Sequence, residues 1–401
     1  MKVLQITAFS GWGCTGRIAV GIHEALIKEK HESAIAWGRI NTANDGVETI
    51  QIGSTIDQNF HGLYTRLTDK CGFGSKRATE KFLGEIERYS PDLIQLHIMH
   101  GYYINLEILF TYIKNKNIPV VWTFHDCWAF TGHCPYFDLV ACEKWKTGCH
   151  HCQQKKHHPT SLLIDNSAWN WKKKKELFTD IKNLTVVTPS KWLAGLVKES
   201  FLKECPVVVI NNGINLNDFK PTNSNIRKNY GLEKKKIVLG VSSSWSECKG
   251  LDVFIQIAGK LPADYQIILV GLNKNQLNSL PKNIIGIQKT DSVTELAGFY
   301  SEANVFVNPT YEDNYPTTNL EAIACGTPVI TYETGGSVEA VIESHFGSIV
   351  PQRNIDALLK EIITLSTREK MDCNNLDWLD QNLKFLEYVD LYKKILGDKD
   401  I

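Results

Sequence analysis

MKVLQITAFSGWGCTGRIAVGIHEALIK (residues 1–28) decides the fold. Residues 2–8 read as a buried strand, 11–16 as a glycine-rich loop and 18–28 as a helix. Glycines where a strand meets a helix let backbone amides approach an anion at the helix N-terminus, which makes Gly13 and Gly16 candidate donor-binding positions. The G-x-G-x-x-G context of a dinucleotide site is incomplete, because no acidic residue closes a second strand in that manner. A tight turn without a ligand is the other reading.

The same alternation continues along the chain. Strands are expected at 33–37, 92–97, 120–125 and 184–188, and their near-continuous apolar character suits parallel strands covered on both faces. The pattern restarts with strands at 206–210, 236–240, 266–270, 284–288, 305–308 and 328–332, separated by helices that include 250–259, 293–301 and 319–324. Strand–helix alternation of this kind gives an α/β fold of two doubly wound halves around a cleft. The turn-forming stretch NNGINLNDFKP (residues 211–221) marks the junction. The expected division is 1–205, 206–375 and a terminal segment 376–401. In that last segment Leu379, Leu383, Leu386, Val389, Tyr392 and Leu396 recur at helical spacing, and the helix is expected to pack back on the first domain.

Composition narrows the function. The chain has 401 residues, 43% hydrophobic and 22% charged, with 44 Lys+Arg against 44 Asp+Glu. Dominant disorder is excluded, and a dedicated nucleic-acid binder would need an electrostatic excess. No apolar run approaches the ~20 residues that span a bilayer. The N-terminal run reads as a strand rather than a signal peptide, so a cytoplasmic protein is expected. Eleven cysteines are too sparse for a disulfide scaffold, yet Cys127, Cys134, Cys142, Cys149 and Cys152 cluster in one insert, residues 127–152.

The richest chemistry lies in NPTYEDNYPTTNLEA (residues 308–322), followed by CGTP (residues 325–328). A strand ends at Asn308, and a helix begins at Pro316 or Thr317. Asp313 then sits on the loop at the strand's carboxyl end and Glu321 about one turn into the helix, both toward the same crevice. Two such carboxylates can accept hydrogen bonds from sugar and ribose hydroxyls. The helix start, with Asn314, Thr317 and Thr318, offers N–H groups to a phosphate. An acidic first turn favoured by the helix dipole is the alternative, but Glu321 lies too deep in the helix for that.

This stretch resembles the E-x7-E region of retaining GT-B glycosyltransferases of family 4, in particular a subgroup from polysaccharide and O-antigen clusters and the colanic-acid type. The resemblance extends over most of the chain and includes WTFHDCW (residues 122–128), NNGI (residues 211–214), Lys249-Gly250 and the cysteine-rich insert. It implies two Rossmann-like domains, with the nucleotide-sugar donor on the second and the acceptor side on the first. Asp313 takes the place of the acid that touches the donor sugar, with Glu312 as its immediate neighbour, and Glu321 that of the ribose-binding acid. Lys249 matches the lysine on the donor diphosphate. The accompanying arginine is missing, since Val241-Ser-Ser-Ser-Trp245 occupies its region; this leaves the diphosphate to Lys249, backbone amides and Arg17. His125 matches the histidine near the donor sugar. A hexose is thus expected to pass, with retention, from a nucleoside-diphosphate sugar to a lipid-linked O-antigen or exopolysaccharide intermediate. No catalytic cofactor is implied. The only Asp-x-Asp spacing is Asp398-Lys-Asp400 in the last residues, read as a frayed tail, so a divalent ion is not expected to hold the diphosphate. A non-catalytic sugar-nucleotide-binding or scaffold protein of the same fold is the alternative, and a phosphorylase-like relative lacks its cofactor-lysine context.

Two further features carry expectations. Cys134, Cys142, Cys149 and Cys152 could supply four thiolates to a structural zinc, with His133, His150 or His151 as a substitute ligand; disulfides and free thiols are the rivals. Trp169, Trp171 and the run Lys172–Lys175 read as a solvated helix face or as a peripheral patch on anionic lipid at the inner face of the cell membrane.

Overall fold

A computed structural model describes residues 1–370 and 372–397; the Asp398-Lys-Asp400 spacing lies outside the described residues. The chain forms two compact units, Met1–Asn211 with Phe385–Ile401, and Asn212–Lys384.

In the first unit the elements follow as β1 (Lys2–Ser10), α1 (Gly13–Lys28), β2 (Glu32–Asn41), β3 (Thr49–Gln51), α2 (Thr55–Thr68), α3 (Lys76–Tyr89), β4 (Leu93–Leu96), α4 (Leu106–Lys116), β5 (Val120–Thr123), α5 (Ser167–Phe178), β6 (Leu184–Thr188), α6 (Lys191–Glu199) and β7 (Val207–Val209). The sheet order is β3-β2-β1-β4-β5-β6-β7, with every pair parallel. Strand order reverses between β1 and β4. Such a switch point opens a crevice at the strands' carboxyl ends.

The second unit contains α7 (Ile226–Asn229), β8 (Lys236–Val241), α8 (Leu251–Ala258), β9 (Tyr265–Val270), α9 (Lys274–Ser279), β10 (Ile284–Ile287), α10 (Val293–Glu302), β11 (Val305–Asn308), α11 (Thr317–Ala324), β12 (Val329–Tyr332), α12 (Glu339–Ser344), β13 (Gly347–Val350) and α13 (Ile355–Leu365). Its order is β10-β9-β8-β11-β12-β13, again all parallel, and the switch falls between β8 and β11. The central strands are apolar throughout because both sheet faces are covered; Val305, Phe306, Val329 and Ile330 are all fully buried.

Two boundaries differ from the sequence expectation. The strand expected to open the second domain is β7, which pairs with β6 and forms the edge of the first sheet. Its valines continue a ladder already begun by Val186, Val187 and Thr188, so the first unit runs to Asn211 rather than residue 205. The terminal helix is α14 (Gln381–Leu396), and the chain rejoins the first unit at Phe385. Its buried face is Phe385, Tyr388, Val389 and Tyr392, whereas Leu383 is 43% exposed, so the stripe is rotated from the expected one. Gly21 of α1 explains the docking. A Cβ there would stand 2.0 Å from the Phe385 ring, so only glycine admits it. Tyr392 Oη donates to Gln95 Oε1 at 2.9 Å, and Thr123 Oγ1 to Tyr388 Oη at 3.2 Å.

The insert at 127–152 folds as three single helical turns, Trp128–Phe130, Asp138–Val140 and Lys144–Lys146. Phe130, Phe137 and Trp145 are buried in the first unit's core, and Phe137 stacks on Trp145 at 5.0 Å. An aromatic core, unreadable from periodicity in so short a loop, therefore orders this segment.

Candidate functional site

In the second unit the switch point gathers the predicted donor-binding residues. The chain leaves β8 and returns through a turn at Glu247–Lys249 into α8. Gly250 adopts φ +71°, and a Cβ there would lie 2.4 Å from the Pro309 carbonyl oxygen, so glycine lets the turn press against the loop that leaves β11. The Tyr311 amide and Thr310 Oγ1 both donate to the Cys248 carbonyl, at 2.7 and 3.1 Å. These bonds bring Lys249 Nζ to 2.6 Å from Asp313 Oδ2. Burial lowers the Lys249 pKa, but the adjacent Asp313 carboxylate outweighs it, with Cys248 and Glu312 adding to the pull, and the ammonium is held above its ordinary value. The single Thr310 hydroxyl hydrogen is shared with the Glu312 carbonyl, 3.0 Å from Oγ1, and Asn314 is buried.

Thr317 and Thr318 open α11, whose first turn carries no acidic residue; Pro316 at the cap position offers no side-chain acceptor. One turn on, Glu321 Oε2 accepts the Tyr300 hydroxyl at 2.8 Å. Tyr300 is fully buried, so it fixes one oxygen of the second acid from below. Asp313 and Glu321 thus engage different partners: a cation for the first, a buried phenol for the second. Asn319 ties the region together, accepting from Asn308 Nδ2 at 2.8 Å and donating to the Ser337 carbonyl at 2.9 Å. Where the expected arginine is missing, Trp245 is buried and its indole N–H donates to the Val270 carbonyl at 2.9 Å. Neither Tyr300 nor Asn319 stood out in the sequence, because their partners come from other elements.

In the first unit the residues fall at the carboxyl ends of β1, β4 and β5. Gly11 has φ +73° and its N–H donates to the Gly16 carbonyl at 3.1 Å, closing the loop before α1. Gly13 begins the helix, Gly16 is buried beneath the loop, and Arg17 is exposed. His97 follows β4 and His125 follows β5. His97 Nε2 lies 3.2 Å from Gln5 Oε1, and Gln5 donates its amide to the Ala19 carbonyl at 2.8 Å. Gln5 Oε1 can only accept, so His97 Nε2 carries the proton and His97 Nδ1 accepts. Across 3.2 Å the donor to that nitrogen is His125 Nε2–H. Neutral His125 therefore carries its proton on Nε2. Burial pushes its pKa down to about 4, with Asp126 opposing. Asp126 itself pairs with His100 at 2.9 Å and accepts the Trp128 amide at 2.8 Å. Burial would raise the Asp126 pKa, but these partners hold it below the ordinary carboxylate range. His97, His100, His125, Asp126 and Trp128 line one pocket.

The four cysteines of the insert also line one pocket. The Cys134 thiol donates to Cys152, and the Gly132 amide donates to Cys149 Sγ at 3.1 Å. For the expected zinc, no group of three or more His, Cys, Asp or Glu among the described residues is placed to hold a metal ion. Of the substitute ligands, His133 meets Asp69 through Nδ1 at 2.5 Å, its Nε2 being buried, and His150 meets the Gly148 carbonyl through Nδ1 at 3.0 Å. The basic run is likewise no continuous patch. Lys174 is buried, donates to the Trp128 carbonyl at 2.7 Å and lies 3.3 Å over the Trp128 ring; burial lowers its pKa to about 7. Lys173 pairs with Glu107 and Glu176.

Residues 15–218 match the family described as Glycosyltransferase Family 4, and residues 222–376 match Glycosyl transferases group 1. The chain belongs to glycosyltransferase family 4. This family 4 glycosyltransferase is 24% identical over 386 residues to the "Putative colanic acid biosynthesis glycosyl transferase WcaC" of Escherichia coli (strain K12), covering 90% of each chain. It is 27% identical over 226 residues to the N,N'-diacetylbacillosaminyl-diphospho-undecaprenol alpha-1,3-N-acetylgalactosaminyltransferase of Campylobacter jejuni, covering 51% of this chain and 58% of that one. Among solved structures, Anabaena HepE in complex with UDP-glucose matches with a TM-score of 0.65 at 14% identity, over 98% of this chain and all of that one. The two parallel sheets with flanking helices are the GT-B fold.

Proposed function

We propose that this glycosyltransferase moves a hexose from a nucleoside-diphosphate sugar to a lipid-linked bacterial polysaccharide precursor, with retention of configuration and without a catalytic metal. The observation that carries this reading is the Lys249–Asp313 pair at the second switch point, on the loop that leads into α11, with Glu321 one turn into that helix. A diphosphate takes the ammonium and the open first turn of α11 as its counter-charges, while Glu312 and Asn314 stand beside it. Asp313, released from Lys249, accepts the sugar hydroxyls. Glu321, fixed by Tyr300, accepts the ribose. Lys249 and the α11 amides stabilise the charge that develops on the departing nucleoside diphosphate. In the first unit Gly13, Gly16, Arg17 and His125 serve the transfer step, and neutral His125 presents a hydrogen-bonding ring rather than a second cation.

The relatives support the acceptor class: the Campylobacter enzyme's name contains diphospho-undecaprenol and the Escherichia coli one's colanic acid biosynthesis. Among the described residues no helix is long and apolar enough to cross a membrane; in this reading the lipid-linked acceptor is met by peripheral contact with the inner face of the cell membrane. The test is transfer from a nucleotide-sugar panel to undecaprenyl-diphosphate-linked acceptors in excess EDTA. Product formed with the donor's anomeric configuration supports the reading. Inverted product, or activity lost to EDTA and restored by Mg²⁺, contradicts it.

A further inference from the structure

His97 and His100 stand on the loop that leaves β4, and both line the pocket at the carboxyl ends of β4 and β5. Their rings are engaged differently. His97 is 2% exposed and has both nitrogens bonded inside the protein, to Gln5 and to His125. The His100 side chain is 12% exposed and has one nitrogen bonded: Nε2 lies 2.9 Å from Asp126 Oδ2. Among the described residues its Nδ1 has no hydrogen-bond partner. Trp128 and His158 pack against the imidazole, with ring centroids at 5.2 and 5.6 Å, and leave that nitrogen unused.

Asp126 decides which nitrogen of His100 carries the proton. The Trp128 amide donates to Asp126 Oδ1 at 2.8 Å, and the His100 pairing uses Oδ2. Despite burial, the His100 and Trp128 contacts hold this carboxyl below the ordinary range. It is therefore ionised and can only accept. The proton of neutral His100 is then on Nε2, and Nδ1 keeps a lone pair. A carboxylate on the far side of an imidazole fixes its tautomer and stabilises the imidazolium that forms when the other nitrogen takes a proton.

Glycosyl transfer has such a proton to place. The acceptor hydroxyl oxygen bonds to the anomeric carbon, and the bond from that carbon to the diphosphate breaks with its electron pair leaving on the nucleoside diphosphate. The hydroxyl proton must go to a base, and a diphosphate whose charge is met by Lys249 and the α11 amides is a weak one. We infer that His100 Nδ1 accepts the hydrogen bond of the acceptor saccharide's hydroxyl and takes its proton during transfer, with Asp126 as the positioning residue that sets the tautomer. The proton returns to water after the product leaves. This role rests on the glycosyl transfer proposed above.

Asp126→Asn tests the role, because it reverses the tautomer at nearly constant shape. The Trp128 amide keeps the side-chain oxygen, so the new amide N–H group faces His100, Nε2 must accept and Nδ1 carries the proton. Transfer to an undecaprenyl-diphosphate-linked acceptor should fall by about a hundredfold or more in kcat. Nucleoside-diphosphate affinity, read by calorimetry, should stay within about twofold of wild type. His100→Ala should lose as much, and the double variant little more, since the two residues act as a unit. Isotope-edited NMR of histidine-labelled protein reads the tautomer without turnover. The His100 signal, identified by its loss in His100→Ala, should show a protonated Nε2 in wild type and a protonated Nδ1 in Asp126→Asn. A protonated Nδ1 in neutral wild-type His100, or transfer by either variant within about threefold of wild type, overturns the proposal. Wild type that transfers from no donor of the panel fails the transferase reading, and this role of His100 with it. Wild-type transfer retained by both variants fails this role alone.

Discussion

Lys249 and Asp313, 64 residues apart in the chain, meet at 2.6 Å where strand order reverses in the second sheet. In the free protein the proposed phosphate cation is therefore already neutralised by the proposed sugar-binding acid. In the proposed reading a donor separates the two, whereas a free nucleotide competes with Asp313 for Lys249 and offers Asp313 nothing in return.

That competition gives a sign that simple loss of contacts does not. Asp313→Asn should tighten binding of the free nucleoside diphosphate by roughly two- to fivefold, the range a partly exposed ion pair carries. It should still lower kcat/KM for the donor sugar by at least about tenfold through the lost hydroxyl contact. Calorimetric titration beside steady-state kinetics separates the two effects; weaker nucleotide binding by the variant would show that Asp313 does not restrain Lys249.

Tyr300→Phe should act as a weaker form of Glu321 removal. The phenol holds one carboxylate oxygen at 2.8 Å, so its loss leaves the acid present but loosely oriented. KM for the donor should rise several-fold, consistent with about 1 kcal/mol per hydrogen bond, with kcat little changed. A kcat loss at constant KM would place Tyr300 in the chemical step.

His125→Ala should cut transfer by at least about tenfold while leaving nucleoside-diphosphate affinity near wild type, because positioning around the reacting sugar, not nucleotide binding, is lost. Unchanged transfer would assign His125 to the packing of the His97–Gln5 network alone.

Acid should destabilise the first unit. His61 uses Nε2 as an acceptor for two amides, and burial, reinforced by the Arg39 guanidinium, pushes its pKa from 6.5 down to about 3. Burial likewise lowers His125 and His158 to about 4. These groups stay neutral in the fold while the unfolded chain protonates, so the stability they contribute is full above pH 6.5 and is lost as pH falls toward their folded values. Each such histidine steepens the decline by up to about 1.4 kcal/mol per pH unit within its window. Urea melts between pH 7 and 5 should show this slope, and His61→Gln should flatten it; an unchanged slope would contradict the neutral assignment of His61.

The cysteine pocket makes a chemical prediction. The hydrogen bond from Cys134 holds the Cys152 thiol below its ordinary value, while that same bond and burial hold Cys134 well above its own. Iodoacetamide should therefore label Cys152 before the other thiols of the insert at neutral pH, and Cys134→Ser should slow that labelling. Labelling of Cys152 no faster than an ordinary thiol would contradict this arrangement.

The sequence already carried the two doubly wound halves, because parallel strands write themselves as short apolar runs, and carboxylates at strand ends stand out against them as candidates for the site. What it hid depends on partners distant in the chain. Three valines at 207–209 read equally well as the last strand of one sheet or the first of the next, and only pairing with β6 decides. Lys249 and Asp313 looked like two separate ligands until the Gly250 turn packed on Pro309. The cysteine insert suggested a metal because its aromatic core, Phe130, Phe137 and Trp145, has no regular spacing. The basic run suggested a charged surface because nothing in its sequence shows that Lys174 is buried against Trp128.

The most direct test of the central claim is release of nucleoside diphosphate from a panel of nucleotide sugars by wild type and by Glu321→Ala. The account predicts turnover of one donor or a narrow set by wild type, and a strongly reduced kcat/KM for the same donor in the variant. Wild type inert toward every donor, or a variant with unchanged kcat/KM, would contradict it.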